Sequence, residues 1–409
     1  MAWNDQDISR PQPVGVFELP AGFLLIPPGQ GHDEIRETLA AGRRPESFPP
    51  GLEFYRRALA GDAAGALSLL DGDDLITRLN RFVLEPDEGL LTELRGALEG
   101  VLATHLEVIA FSTGLADTPP DAAAADGEFA ALAHGARAGA AAEIHDLGTA
   151  IEELDAAALA ARPASAALAG QFLGTLAEAQ ADQGGLKKAV TTFQAALDLL
   201  EGTDLDRTRA EIHVGCGQAF QEMSEAAPRL MANAVRHYTS ALGLIEPEDD
   251  PELFATAHAN LGLAYLLSPM QEAGEQLRIG VAVQSLRQAL EVFGPETHPE
   301  KWASTQVNLA NALVYMPSTH QADNIVEAVE LYEAVLQARG RDSDPLGRAR
   351  VLANQGNALA HLGVFDHAKA KLHEARSMFE EFEEDESVRS VRSILDEIAR
   401  QESLARQDR

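Results

Sequence analysis

Between residues 164 and 379 the apolar positions follow one spacing: an alanine, a bulky residue four later, and usually a second alanine at seven. The instances are Ala189/Phe193/Ala196, Ala234/Tyr238/Ala241, Ala282/Leu286/Ala289, Ala328/Tyr332/Val335 and Ala368/Leu372/Ala375. Offsets of four and three put side chains on one face of a helix. The first alanines stand 45, 48, 46 and 40 residues apart, so the period predicts one repeated helical unit rather than unrelated domains. Ahead of each instance runs another helical pattern carrying a small residue, at Leu173-Gly174, Cys216-Gly217, Leu261-Gly262, Leu309-Ala310 and Gln355-Gly356. Glycine inside a helix costs roughly 1 kcal/mol against alanine, and its recurrence at one place implies that two helices approach closely there. Asp250-Pro251, His298-Pro299 and Asp344-Pro345 each precede a first helix, where proline suits the first helical position. Gly294-Pro295 and Glu246-Pro247 close second helices. The predicted unit is a helical hairpin, repeated five times.

The two ends lack this period. Residues 1–145 are expected to form a separate, mostly helical module with an extended arm at 1–28. Within that arm Val14 to Leu19 and Gly22 to Ile26 have the pattern of short strands or of a segment laid on helices. Helical patterns follow at about 32–41, 52–60, 63–70, 74–83, 88–110 and 128–160, and the alanine-rich stretch 121–142 is expected to be partly disordered or a surface loop. The array is placed at 146–379. After the acidic run from Glu380 to Glu386, Val388, Val391, Leu395 and Ile398 make an apolar stripe, so 380–409 is expected to be a capping helix.

The repeated block resembles tetratricopeptide repeats. ANLGLAYL at 259–266, VNLANALVY at 307–315 and ANQGNALAHLG at 353–363 match that family's first helix, and FDHAKAKLHEA at 365–375 its second. The resemblance covers about half of the chain. It implies an all-α fold, a right-handed α-solenoid of about five such hairpins between the N-terminal module and the C-terminal cap. One departure stands out. In the family the two small positions lie twelve residues apart, as Gly356 and Ala368 do, whereas Gly174–Ala189, Gly217–Ala234, Gly262–Ala282 and Ala310–Ala328 are separated by 15, 17, 20 and 18. These separations predict lengthened turns, including Pro228, Pro269 and Pro317.

The resemblance also implies a concave groove lined by first helices, two positions before the small residue and one after it. Carried over one by one, those positions are Asn260, Asn308, Asn311, Asn354 and Asn357, with Gln218 a less direct match and Arg350 one turn earlier on the last first helix. An asparagine amide donates and accepts together, so a ladder of them can pair with the backbone of an extended peptide. The alternative is that these asparagines link neighbouring hairpins. The lysines of the family's carboxylate-clamping version are missing from these positions, which disfavours a C-terminal carboxylate ligand, although Arg350 leaves it open.

Composition narrows the partner. The 409 residues hold 64 Asp and Glu against 32 Lys and Arg, a formal charge of −32. That balance argues against nucleic acid, whose phosphates need clustered cations, and against anionic lipid. It favours a protein or peptide partner of basic character. The single cysteine, Cys216, can form no internal disulfide, and no Cys/His cluster has zinc spacing. The start of the chain lacks a charged region followed by a long apolar stretch, so a cytoplasmic location is expected. The sequence also holds no Ser/His/Asp elbow and no HExxH. The reading is a non-catalytic scaffold or adaptor without cofactor or metal, in the manner of an assembly helper of a larger enzyme or a regulator. Two other readings remain. One is a ligand-binding or enzymatic N-terminal module around His32, His105 or His134. The other is a self-assembling homo-oligomer whose groove holds a neighbour's arm.

Overall fold

A computed structural model describes residues 8–268, 275–338 and 344–407. Pro269 and the first seven residues of the arm therefore lie outside the described residues. The fold is all-α, with no strand among the described residues. None of their helices is long and apolar enough to cross a membrane. The chain divides into two compact units, Met1–Phe220 and Gln221–Arg409. The helices run α1 (His32–Ala40), α2 (Glu53–Leu59), α3 (Ala63–Leu67), α4 (Leu75–Leu84), α5 (Glu88–Arg95), α6 (Gly100–Ser112), α7 (Gly127–Glu143), α8 (Leu147–Ala161), α9 (Ala166–Asp182), α10 (Leu186–Leu199) and α11 (Asp206–Met223). They continue with α12 (Met231–Leu242), α13 (Pro251–Leu267), α14 (Glu275–Leu290), α15 (Pro299–Tyr315), α16 (Gln321–Ala338), α17 (Pro345–His361), α18 (Phe365–Glu381) and α19 (Asp385–Gln407).

The repeated residues are packed as their spacing predicts. Each of the five alanine-led triplets is buried. A Cβ built on Gly262 would lie 2.7 Å from Leu286 Cγ and 3.2 Å from the Ala282 carbonyl. One on Gly356 would meet Leu372 Cγ and the Ala368 carbonyl at those same two distances. Two hairpins thus share one close approach, and it excludes any side chain. Pro251, Pro299 and Pro345 open α13, α15 and α17, with Asp250 accepting from the Leu253 N–H and Asp344 from the Gly347 N–H. At the C-terminal end α19 packs on α18 and α17 and buries Val388, Val391 and Ile398.

The register of the α9/α10 hairpin differs from the expected one. A Cβ on Gly174 would lie 2.9 Å from Ile212 of α11, so Gly174 faces the following helix. The buried residue twelve before Ala189 is Ala177, and the turn is closed by Gly184 at φ +85°, seven residues on. Gly363, at φ +75°, occupies the same place seven after Gly356. That turn is therefore short, and the lengthened ones belong to later hairpins; Pro228 sits in a 3-10 turn, Pro228–Leu230, just before α12.

The pattern also extends one hairpin toward the N-terminus. Ala138 and Ala150 are twelve apart, Ala150/Leu154/Ala157 repeat the buried triplet, and His145 takes the left-handed position at φ 59°. The expected helix at 128–160 is broken there, because Asp146 caps α8 by accepting from the Thr149 N–H. The 88–110 pattern likewise splits into α5 and α6 around Gly96–Gly100. The alanine-rich stretch is mostly α7, which buries Phe129, Ala131 and Ala133; its helix propensity carried the segment where its composition suggested a loop.

Residues 8–26 form no strand: they pass through turns and a 3-10 helix, Ala21–Phe23, before the extended stretch 24–26, and they run through the core of Met1–Phe220. Val14, Val16, Leu24, Leu25 and Ile26 are fully buried. The Val16 and Leu24 N–H groups turn to the Pro13 and Ala21 carbonyls, whereas the peptide groups of Leu25 and Ile26, which a sheet would have paired, are met by side chains. The Leu25 N–H donates to Asn80 Oδ1 at 2.7 Å and Asn80 Nδ2 donates to the Leu25 carbonyl at 2.8 Å. Gln12 makes the same double contact with Ile26, at 2.9 and 3.2 Å. The Tyr55 hydroxyl donates to the Ala21 carbonyl at 3.2 Å. Lending residues 8–26 to a neighbouring copy would open this core.

His105 is expected to make the arm pH-sensitive. Its Nε2 donates to the Phe23 carbonyl at 2.9 Å, and its ring lies edge-on to Phe23 and Phe129. The Nδ1 atom is buried without a partner, and burial pushes the imidazole down from 6.5 to about 4. The unfolded chain then binds a proton that the folded one refuses between those values, so stability is full above 6.5 and is lost as pH falls toward 4. The expected loss is up to about 3 kcal/mol. Urea midpoints across that range should follow it in the native chain and flatten in His105→Gln, whose amide can still donate to Phe23.

Candidate functional site

In Gln221–Arg409 the first helices α13, α15 and α17, followed by α19, touch one another in succession. The side chains that bridge them are long between α13 and α15, where Lys301 donates to Glu252 at 2.6 Å, and short between α15 and α17. Asn354 Nδ2 on α17 donates to Asn311 Oδ1 on α15 at 3.1 Å, and the Tyr332 hydroxyl on α16 donates to the same oxygen at 2.6 Å. Burial, and next the nearby Tyr315, raise the Tyr332 phenol above its ordinary range, so it stays a donor. Second helices are joined by longer groups, Arg287 to Glu327 at 2.9 Å between α14 and α16, and Lys371 to Glu333 at 3.0 Å between α18 and α16. The first helices lie in direct contact with one another, α13 with α15 and α15 with α17, so the first-helix layer is the more tightly spaced.

The candidate residues fall on parallel stripes of this layer. Asn260 heads a stripe on α13 that continues through Leu263 to Leu267. Asn308 and Asn311 lead to Tyr315 on α15, and Arg350, Asn354 and Asn357 lead to His361 on α17. Asn311 and Asn354 are brought together, each occupied by the other. Asn357 Nδ2 donates to the Tyr315 hydroxyl at 3.3 Å. Asn260 Nδ2 is buried with no hydrogen-bond partner. Asn308 is half-buried, and Arg350 is exposed. Gln218 is exposed on α11 in the other unit.

Three features of this face were not anticipated from the sequence. Leu267 and Tyr315, 56 % and 62 % exposed, stand at the ends of their stripes as uncovered apolar groups. His361 lies edge-on to Tyr315. Beside them α17 and α19 enclose a polar cavity of about 360 Å³, lined by Asn357, His361, Ser393, Glu397, Arg400 and Gln401 among others. Tyr315 follows Asn311 by four residues and His361 follows Asn357 by four, a helical offset that could have found both. The α19 groups carry no comparable signal, because their place depends on how the last helix docks.

The histidines of the N-terminal region are engaged elsewhere. His32 is buried between the carbonyls of Pro27 and Pro50, at 2.9 and 3.3 Å, and His105 holds Phe23. The His134 Nδ1 lies 2.7 Å from Glu153, whose other oxygen accepts from Arg137 at 2.7 Å. No group of three or more metal-ligating side chains gathers among the described residues. The Cys216 thiol is buried, and burial pushes it up to about 12, which suppresses the thiolate.

No protein-family model and no curated protein matches the chain. Among solved structures it is similar to the apo form of RapI, at 13 % identity over 86 % of this chain and 96 % of that one, with a TM-score of 0.46. It is similar to Rap protein complexed with competence and sporulation factor, at 16 % identity over 87 % and 97 %, with a TM-score of 0.41. A third is YrrB, described as a TPR protein with an unusual peptide-binding site, at 19 % identity over 51 % and 84 %, with a TM-score of 0.35. The tetratricopeptide-like character of the present chain rests on its own hairpin spacings.

Proposed function

We propose that the chain is a non-catalytic protein-interaction scaffold, and that the first-helix face of Gln221–Arg409 holds an extended segment of a partner protein. The observation that carries this reading is the exposed Tyr315 beside the polar cavity of about 360 Å³. An aromatic with a polar rim is the arrangement that anchors partner segments. Asn308 supplies an amide for the segment's backbone, Asn260 joins it by turning its buried, unpartnered Nδ2 outward, and Arg350 supplies a donor to carbonyls or carboxylates. Asn311 and Asn354 set the spacing of the helices instead of meeting the ligand. The formal charge of −32 favours a partner of basic character, whose binding weakens with salt.

Affinity capture from the native cytoplasm, followed by calorimetry with the captured protein, tests this. The triple variant Asn260→Ala/Asn308→Ala/Tyr315→Ala is expected to bind at least about tenfold more weakly. Its helical circular dichroism should be unchanged, since the bonds joining Asn311, Asn354 and Tyr332 remain. A folded variant with undiminished affinity would remove the face as the site.

A further inference from the structure

A second recess lies in Met1–Phe220, where α6, α7, α8 and α9 enclose a cavity of about 460 Å³. Phe23 of the arm, Val108, Leu132 and Leu154 contribute to its lining, which is mostly apolar. It exists because α7 presents Gly135, Gly139 and Ala142 at offsets of four and three, leaving one helix face almost without side chains. Phe172 closes the Gly135 end, since a Cβ there would lie 2.6 Å from its ring, whereas one on Gly139 would meet nothing within 4 Å. The space beside Gly139 is therefore open.

Charge distinguishes this recess from a packing fault. Glu178 and Asp182, one turn apart on α9, belong to its lining. Neither forms an ion pair with any cation among the described residues. Both side chains are exposed at the rim, and the Glu178 carboxyl is held above the usual range, first by desolvation and then by the like charges of Glu211 and Asp182. Glu211 itself is paired with Arg207 at 3.3 Å. An apolar hollow beside uncompensated carboxylates is complementary to a ligand that carries a large apolar group and a cation side by side.

We propose that this recess is a second docking site, taking a basic amphipathic segment of another protein that inserts a leucine- or phenylalanine-sized side chain beside Gly139 and sets a lysine or arginine against Glu178 and Asp182. The site shares no residue with the face proposed above, so either can fail without the other.

The test starts from a random dodecapeptide display library panned against the intact chain. Enriched peptides are then titrated by fluorescence polarisation against the native chain, Gly139→Leu, Glu178→Gln/Asp182→Asn and Tyr315→Ala. Gly139→Leu fills the open space and replaces a helix-interior glycine, so it should keep or raise stability. The expected peptides pair a large apolar residue with Lys or Arg within four positions. They should lose about tenfold or more in affinity with Gly139→Leu, and about three- to tenfold with the neutralised pair. Tyr315→Ala should leave them unaffected. Absence of enrichment, enriched peptides without basic residues, or undiminished binding to Gly139→Leu would each overturn the proposal. Self-association of the native chain that Gly139→Leu abolishes would overturn it too, by placing a second copy in the recess. Peptides lost with Tyr315→Ala but kept by Gly139→Leu would count for the other face and against this one.

Discussion

Replacing Asn80 with leucine is expected to destabilise Met1–Phe220 by about 2–6 kcal/mol, because two buried peptide groups lose their partners at once and each costs about 1–3 kcal/mol. Leucine keeps the branched shape of the side chain, with two methyls in place of the amide oxygen and nitrogen, so the main loss is of the hydrogen bonds to the Leu25 N–H and carbonyl at 2.7 and 2.8 Å. Hydrogen exchange at Leu25, together with urea denaturation of the intact chain, reads it directly. Asn80→Asp supplies the control. Its carboxylate still accepts from the Leu25 N–H but cannot donate to the carbonyl, and its buried charge adds a penalty of its own. An unchanged denaturation midpoint in Asn80→Leu would mean that the arm is not held through Asn80.

The second large effect concerns the start of the same arm. Arg10 grips Glu128 with two bonds, Nε at 3.0 Å and Nη2 at 2.7 Å, contacts the Asp126 carboxylate, and lies over the Phe129 ring at 5.2 Å. Glu128 is almost fully buried and otherwise accepts from the Gln12 N–H at 2.9 Å. The pairing, above all with Glu128, raises the guanidinium pKa further above its already high value. Arg10→Met leaves a carboxylate buried with one donor, and a loss of about 3–5 kcal/mol is expected. Adding Glu128→Gln should restore part of it, since the amide oxygen can still accept from Gln12 while the uncompensated charge is gone. A double variant no more stable than Arg10→Met would show that the guanidinium acts through packing on Phe129 and not through the charge.

Both effects fall on a segment whose pattern suits a short strand. Leu24-Leu25-Ile26 is apolar enough for one, and nothing local distinguishes an edge strand from a buried arm. The distinction depends on Asn80 and Gln12, 55 and 14 residues from the backbone they satisfy. The candidate site divides in a similar way. That Asn260, Asn308, Asn311, Asn354 and Asn357 recur at one place beside the small residue could be read along the chain. Which of them are occupied could not. Asn311 is held because Tyr332 and Asn354 converge on it from two other helices, and Asn260 has no such neighbour.

The helical hairpin, its recurrence and its packing face are written in the chain. Those depend on local periodicity, on prolines at helix starts and on a close approach that leaves no room for a side chain at Gly262 or Gly356. The chain also sets the acidity of the surface, a sum over residues that needs no coordinates. Packing between helices is what turns Gly174 toward Ile212 and leaves the small position to Ala177, since in an alanine-rich helix several residues are small enough and the neighbour chooses among them. It alone opened the space beside Gly139 and placed Glu178 and Asp182 with it, because a cavity is defined by what α6, α8 and α9 fail to fill.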